Sequence, residues 1–274
     1  AMVREPIVMD MFQPRPYQMP LIEALEVHGY KRIIAVMPRR SGKDLTAFNM
    51  IIWQAIQRVG VYYCIYPEYS QGRKILWDSI DNGGRRFLDY IPAQLVASTN
   101  SQMMQIRMIN GSLIQVIGSD NYNSLVGTNP VGIMLSEYAL QDPMCYNFLR
   151  PILLGNNGFA IFVSTPRGRN HMRDLWDIAE KSDNWFTYHL TVDQTKHISV
   201  EAIEDEINRG EMSRDLALQE YWCSWDFGVE GAYYTKYIDK LKLNGQVGDV
   251  VWDPNLKVNC AFDLGIRDKT CIVM

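Results

Sequence analysis

Short apolar runs alternate with amphipathic segments along most of the chain. The runs typical of buried strands are 32–36, 61–66, 131–137, 159–166 and 185–192. Between the first two, residues 45–59 carry apolar side chains at helical spacing, and a strand–helix–strand unit of this length pairs its strands in parallel. The pattern therefore predicts an α/β fold with a mostly parallel sheet flanked by helices.

Two further patterns modify this sheet. Residues 104–109 and 112–117 are β-rich and flank Asn110-Gly111, a strong hairpin signal, so we expect an antiparallel ribbon at one edge of the sheet. Residues 199–223 contain two acidic-then-apolar helical segments, which predict a small helical lid. We predict a first domain over 1–198, the lid over 199–225, a linker over 226–256 and the first strands of another domain over 257–274.

Composition narrows the functional classes. The chain is 47% hydrophobic and 21% charged, and no run approaches the roughly 18 apolar residues of a membrane span. With no apolar leader at its start, we expect a cytoplasmic protein. The five cysteines are scattered and predict buried thiols rather than metal ligands or disulfides. A net charge of −4 means that any contact with nucleic acid is local, or depends on assembly or on a nucleotide.

The stretch from Met37 to Asp44 follows the first strand and precedes the first long helix, which is the context of a phosphate-binding loop. Gly42 allows close approach of the backbone, and Lys43 brings an ammonium to the outer phosphates. Compared with the usual G-x-x-x-x-G-K-[ST] pattern, Met37 replaces the first glycine and Asp44 the hydroxyl residue. We predict an ATP-binding loop formed by Pro38, Arg39, Arg40, Ser41, Gly42, Lys43 and Asp44.

Polar side chains end two later strands. Ser136 and Glu137 close one, and Ser164-Thr165 closes another. Ligands of open α/β sheets bind at the carboxyl ends of the strands, so we expect these residues to converge on the loop. Glu137 is then the candidate for polarising an attacking water in nucleotide hydrolysis. Either Arg39 or Arg40 is a candidate for contacting the γ-phosphate from within the same chain.

The expected Mg²⁺ ligands depart from the common pattern in a reciprocal way. A loop Ser or Thr and a strand-end Asp usually hold the ion, whereas here the loop supplies Asp44 and the strand end supplies Ser136. Both are hard oxygen ligands suited to Mg²⁺. We predict that the two residues perform each other's customary roles.

The segment before the first strand has two interpretations. Phe12, Arg15 and Gln18 could clasp an adenine, because a glutamine offers both a donor and an acceptor to the base edge. Alternatively, the same segment is only a proline-rich surface entry to a helix. The sequence leaves both open.

In their order and spacing these motifs resemble the large terminase of tailed bacteriophages, the motor that packages DNA into procapsids. The resemblance also covers Tyr66 to Gln71, Ser124 to Gly127, Gln219 to Trp222 and, near the end, Ala261 to Thr270. It implies a P-loop NTPase fold of the ASCE or RecA-like class, followed by an RNase-H-like nuclease domain.

The resemblance also implies roles for residues. It favours Arg39 over Arg40 as the arginine that acts in cis, and it makes Ser164, Thr165 and Pro166 a coupling motif in which Thr165 links loss of the γ-phosphate to lid movement. Asp263 would bind a nuclease metal, Mg²⁺ or Mn²⁺. Two-metal nucleases need several carboxylates, and only Asp263 and the nearby candidate Asp268 are present, so we expect this chain not to cut DNA.

The implied partners are double-stranded DNA, the portal protein of a procapsid and a small terminase subunit, in the host cytoplasm and away from membranes. We expect a homo-oligomeric ring on assembly and a monomer in isolation. Arg167, Arg169 and Arg173, after the coupling motif, are candidate DNA contacts, although a solvated basic face explains them equally well. Neutralising Arg167 and Arg169 is expected to weaken DNA binding.

Two other functions fit parts of the sequence. One is a superfamily 2 helicase-like ATPase, which shares the loop and strand-end motifs but continues into a second RecA-like domain. The other is an ATP-dependent assembly protein with little turnover, which the unusual residues at 44 and 136 would suit.

Overall fold

The structure of the protein is a computed structural model. It describes residues 12–125 and 127–226, and then only 237, 240–241, 243–248, 255, 261–263 and 271–273. The backbone divides into two compact units, residues 1–230 and 231–274. The predicted lid lies within the first unit, and the finer domain boundaries stay predictions.

An eight-stranded sheet forms the centre of the first unit. Its strands are β1 Arg32–Val36, β2 Val61–Tyr66, β3 Val96–Asn100, β4 Gln105–Met108, β5 Leu113–Gly118, β6 Pro130–Ser136, β7 Phe159–Ser164 and β8 Trp185–His189. Their order across the sheet is β3-β4-β5-β2-β6-β7-β1-β8. The strands from β5 to β8 in this order are parallel, and β3 and β4 are antiparallel.

Helices cover both faces of this sheet. They are α1 Met19–Glu26, α2 Lys43–Gln57, α3 Tyr69–Gly72, α4 Pro143–Gly155, α5 His171–Ala179, α6 Val192–Thr195, α7 Val200–Asn208 and α8 Arg214–Glu220. A π-helical turn, Arg73–Trp77, continues α3. The predicted α/β fold of P-loop type, with a mostly parallel sheet, is confirmed. No helix in the part of the chain that the structure describes is long and apolar enough to span a membrane.

Alternation along the strands produces two core layers. Ile33, Ala35 and Met37 face one layer together with α1 and α2, whereas Ile34 and Val36 face the other with α4 and α5. Every one of these side chains is fully buried. A strand that is buried on both faces is apolar throughout, which is why residues 33–37 show no polar position.

The predicted hairpin is present as β4 and β5, and it extends the sheet at the β3 edge. Gly111 adopts a φ of 96° in the turn, and the Asn110 side chain donates a hydrogen bond of 2.8 Å to the carbonyl of Ala55 at the end of α2. Strand β3 was not predicted, because its residues from Ala97 to Asn100 are exposed and carry no apolar alternation.

The lid helices α7 and α8 have a small core of their own, formed with α6. Val192, Ile203 and Ala217 are its buried members. The hydroxyls of Ser199 and Ser213 accept hydrogen bonds from the backbone N–H groups of Ala202 and Leu216, so serine caps begin both helices.

In the second unit the structure describes two short strands, β9 Ala261–Asp263 and β10 Cys271–Val273, which pair in antiparallel fashion. Asp263 is the last residue of β9. Asp268 lies outside the described residues, and so does most of the predicted linker. The nuclease domain therefore stays a prediction.

Three cysteines are buried in the first unit: Cys64, Cys145 and Cys223. Burial raises the pKa of Cys145 and Cys223 to about 12 and raises the pKa of Cys64 as well. Because the thiolate is the reactive form, we expect these thiols to resist iodoacetamide at about pH 8 in the folded protein and to react once it is denatured. Peptide mass spectrometry measures the modification at each site. Rapid alkylation of Cys64 in the folded protein would contradict this placement.

Candidate active site

The loops after β1, β6 and β7 emerge side by side. Strand β7 lies between β1 and β6, with Val36 opposite Ser164 and Ser136 opposite Val163. The three parallel strands therefore end at nearly the same level. The structure thus brings together the loop of residues 37–44, the Ser136-Glu137 end and the Ser164-Thr165 end.

Gly42 makes the turn from the loop into α2. Its φ is 80°, and a Cβ at this position would lie 2.8 Å from Nε2 of Gln18, so both conformation and space favour glycine. Lys43 is the first residue of α2, and Pro38 and Ser41 are buried beside it. The amide groups at this helix N-terminus form the kind of site that attracts phosphate.

The Lys43 ammonium joins the three strand ends. Its Nζ lies 3.1 Å from Oε1 of Glu137 and donates a hydrogen bond of 3.2 Å to Oγ1 of Thr165. Burial by itself lowers the pKa of Lys43, but the carboxylates of Glu137 and Asp44 outweigh it and raise the pKa above its ordinary value. Lys43 is therefore a charged, positioned cation at the centre of the site.

Glu137 has a strained backbone. Its φ of 52° and ψ of 45° lie in the left-handed region, which costs a residue other than glycine about 1–3 kcal/mol. Such strain persists where the surrounding structure imposes it, and it occurs often at functional sites. The conformation turns the chain directly at the end of β6 and keeps the side chain against Lys43.

Asp44 and Ser136 are in direct contact, as a reciprocal exchange of roles requires. The Ser136 hydroxyl donates a short hydrogen bond to Oδ1 of Asp44. Burial raises the pKa of Asp44 and the Glu137 carboxylate adds to the increase, while the Lys43 ammonium and the Ser136 hydroxyl oppose it. Two hard oxygen donors thus lie together beside the loop, in a donor set that suits Mg²⁺.

The segment before α1 contacts the loop through one carbonyl oxygen. Ser41 O accepts hydrogen bonds from Nε2 of Gln18 at 2.9 Å, from the hydroxyl of Tyr17 at 3.0 Å and from Nη1 of Arg15 at 3.5 Å. Oε1 of Gln18 accepts from the backbone N–H of Arg15 at 2.8 Å. Both ends of the Gln18 amide therefore have protein partners. Its observed contact is with the loop, and a role towards adenine stays a prediction.

Arg39 and Arg40 differ in how they are held. The backbone N–H of Arg39 donates to the carbonyl of Glu220 at 2.9 Å, and its carbonyl lies 2.7 Å from Nε2 of His197. Arg40 has a φ of 63° and, like Arg39, an exposed side chain. Which of the two acts in cis stays a prediction.

The coupling segment is joined to the start of the loop. The backbone N–H of Met37 donates to the carbonyl of Ser164 at 3.1 Å, and the Thr165 hydroxyl donates to the carbonyl of Met37 at 3.4 Å. Ser164, Thr165 and Pro166 are all buried. Thr165 therefore touches both the ammonium of Lys43 and the backbone that leads into the loop.

The three candidate DNA-binding arginines are each paired with an acid. Arg167 binds the buried carboxylate of Glu220. Arg169 lies 2.9 Å from Asp226 at the surface, with 76% of its side chain exposed. Arg173 lies 2.8 Å from Asp177, and its guanidinium covers the ring of Trp225. Of the three arginines, only Arg169 presents most of its side chain to solvent.

Glu220 and His197 are the site residues that sequence reasoning missed. Glu220 lies in the Gln219–Trp222 segment that carried part of the resemblance, but nothing in the sequence assigned it a partner. His197 follows α6 in a segment with no motif. Both lie against Arg39, far from it along the chain.

Two buried polar atoms point to a ligand at this site. Among the described residues, Oγ of Ser41 and Oε2 of Glu137 are buried without a hydrogen-bond partner. An unpaired buried polar group costs about 1–3 kcal/mol and calls for an explanation such as an absent water, ion or ligand. Their place beside Lys43 and the α2 N-terminus fits a bound phosphate with its metal ion.

Comparison with known proteins bears on this site. No protein-family model matches the sequence. The large terminase subunit of Escherichia phage T5 is 27% identical over 269 residues, which are 95% of this chain and 59% of that protein. The resemblance to phage large terminases is confirmed. The chain spans less than two thirds of the T5 protein.

Solved structures of large terminases share the fold. The large terminase ATPase domain of Thermus phage P74-26 superposes with a TM-score of 0.63 at 20% identity, over 79% of this chain and 96% of that domain. The large terminase of another thermophilic bacteriophage superposes with a TM-score of 0.61 at 13% identity, over 78% of this chain and 54% of that one. At these identities the likeness to terminases of known structure is one of fold.

Proposed function

We propose that this chain is the ATP-hydrolysing part of a motor subunit that translocates double-stranded viral DNA into a procapsid. The observation that carries the proposal is Lys43, which is held at the N-terminus of α2 between Glu137 and Thr165. Similarity to the T5 large terminase subunit supports a DNA-packaging ATPase. The second of the two large terminases of known structure has been solved with ADP and with ATP-gamma-S, which supports ATP as the nucleotide.

Each residue of the site has a proposed part in hydrolysis. The phosphates of ATP lie on the backbone of the loop at Gly42, where Lys43 exchanges its contact with Glu137 for phosphate oxygens. Glu137 then accepts a hydrogen bond from the attacking water and orients it. Arg39, whose side chain is 64% exposed, meets the charge that develops on the γ-phosphoryl group.

Mg²⁺ would be held by Asp44 and Ser136. When bound, the ion neutralises phosphate charge, which phosphoryl transfer requires. The site fits the ion because a carboxylate and a hydroxyl are already in contact next to the loop. The exchange of residue types between loop and strand end leaves the same two oxygen donors at the site.

The whole protein is proposed to do more than this chain. Its partners would be the portal protein and a small terminase subunit, and its working form a homo-oligomeric ring in the host cytoplasm. A nuclease domain beginning near residue 257, with Asp263 as a metal ligand, would cleave the DNA. Thr165, in contact with Lys43, would transmit loss of the γ-phosphate to the segment that follows it.

Steady-state ATP hydrolysis tests the function. We expect Mg²⁺-dependent phosphate release that Lys43→Ala and Glu137→Gln each lower by about a hundredfold or more, because they remove the phosphate contact and the water-orienting group. Nucleotide binding, followed with a fluorescent ATP analogue, is expected to weaken in Lys43→Ala and to persist in Glu137→Gln. Lys181→Ala, at an exposed position after α5, is the matched control. Full turnover in Glu137→Gln would contradict the assignment.

The exchanged metal ligands have a separate test. Asp44→Ala is expected to abolish hydrolysis, whereas Asp44→Thr combined with Ser136→Asp restores the usual arrangement and is expected to recover part of it. Each single change removes or duplicates a carboxylate, so only the pair is expected to recover activity. Phosphate release at a series of Mg²⁺ concentrations measures both rate and metal affinity. Undiminished activity in Asp44→Ala would show that Asp44 is not a ligand.

DNA contact is best tested at Arg169. Its ion pair with Asp226 is exposed on both sides and contributes little to stability, so a DNA phosphate can compete for the guanidinium. We expect Arg169→Gln to weaken duplex binding and to reduce the slope of log K against log salt by about one. Fluorescence anisotropy at several salt concentrations measures both quantities.

Arg209→Gln is the control for this change, because Arg209 forms a comparably exposed ion pair with Glu211 on the lid. Arg167→Gln is unsuitable, since Arg167 neutralises a buried carboxylate and its loss would disturb the fold. A salt slope that is identical in Arg169→Gln and in the wild type would exclude Arg169 from the DNA contact.

A further inference from the structure

Glu220 connects the lid to two segments of the active site. It is the last residue of α8, and its side chain is only 6% exposed. Its carboxylate binds Nη1 of Arg167, directly after the coupling motif, and lies 3.9 Å from Nη1 of Arg39 in the loop. Its backbone carbonyl accepts a hydrogen bond of 2.9 Å from the N–H of Arg39.

Arg39 has a second backbone contact on its other side. Nε2 of His197 lies 2.7 Å from the carbonyl of Arg39, and because a carbonyl only accepts, Nε2 is the donor. Nδ1 of the same ring lies 2.7 Å from the hydroxyl of Thr195 in α6. Both backbone groups of Arg39 are therefore held by the chain that follows β8. The position of this loop residue is set from outside the loop.

The two arginines share the Glu220 carboxylate unequally. Arg167 is close and only 26% exposed, whereas Arg39 is 3.9 Å away and 64% exposed. A buried carboxylate is costly without a cationic partner, and Arg167 supplies that partner. A phosphate can therefore draw the Arg39 guanidinium away without leaving Glu220 unpaired. The backbone contacts meanwhile keep residue 39 at the entrance to the site.

We propose that Glu220 is a positioning residue for Arg39, and that through Arg167 it joins the phosphate loop to the segment after the coupling motif. The lid thereby fixes where the loop arginine stands, and displacement of its guanidinium by phosphate changes the charge around Arg167. The backbone part of this connection is independent of nucleotide. The catalytic consequence rests on the proposed function, in which Arg39 meets the charge on the γ-phosphoryl group.

The nucleotide-free protein gives the first test. Glu220→Gln removes the charge that Arg167 and Arg39 share, and we expect faster amide hydrogen exchange in peptides that contain residues 38–42 and 166–169. Glu204→Gln is the matched control, because the partner of Glu204 is Arg214 on the lid surface. Exchange in Glu220→Gln that equals the wild type in both peptides would overturn the connection.

A double-mutant cycle on hydrolysis gives the second test. We expect Glu220→Gln to lower kcat by about tenfold or more while the affinity for a fluorescent ATP analogue changes little. In the Arg39→Ala background, the same substitution is expected to lower kcat by no more than about twofold, because the residue through which it acts is gone. An equal loss in both backgrounds would identify Glu220 as merely structural and would overturn the positioning role.

The two tests separate this inference from the proposed function. If the wild-type chain fails to hydrolyse ATP but Glu220→Gln still accelerates exchange at the loop, the proposed function fails and the connection stands. If hydrolysis is normal and Glu220→Gln changes neither exchange nor kcat, the function stands and the connection fails. Should Glu220→Gln lower the melting temperature markedly, Glu220→Asp, which retains the charge but withdraws it by one methylene, replaces it in both tests.

Discussion

The ion pair between Lys43 and Glu137 is the constraint on which the site depends. A buried ammonium requires a close anion, and Glu137 at 3.1 Å provides it from the end of β6. Thr165 adds a hydrogen bond from the end of β7, so three strand ends meet at a single nitrogen atom. Because β7 separates β1 from β6, this meeting is possible only if the three strands stop in register, as they do. The strained backbone of Glu137 is one cost of the arrangement.

Around this centre the loop is held from three directions. Gln18, Tyr17 and Arg15 converge on the carbonyl of Ser41, and the end of β7 holds Met37. The lid and the chain before it hold Arg39 through Glu220 and His197. The segment before α1, the coupling segment and the lid therefore each contact a different residue of the same short loop. A change of ligand at Lys43 acts on elements that are already connected.

Much of this arrangement could be predicted from local sequence. Polar residues after apolar strands predicted the convergence of Glu137 and Thr165, and Asn110-Gly111 predicted the hairpin, because both signals depend on neighbouring residues. The pairing of Arg167 with Glu220 could not be predicted, since the two are far apart along the chain and an acidic residue at a helix end is typical of a solvated surface. Strand β3 was missed because tertiary pairing, rather than apolar alternation, makes it a strand.

The central claim is that Asp44 and Ser136 hold the metal ion of an ATP site built on Lys43. A crystal structure with a non-hydrolysable ATP analogue and Mg²⁺ tests it most directly, because it shows which oxygen atoms surround the ion. The account predicts that a carboxylate oxygen of Asp44 and the hydroxyl of Ser136 coordinate Mg²⁺ directly or through one water, with Lys43 moved from Glu137 to the outer phosphates. An ion held without either residue, or a nucleotide bound away from Lys43, would contradict it.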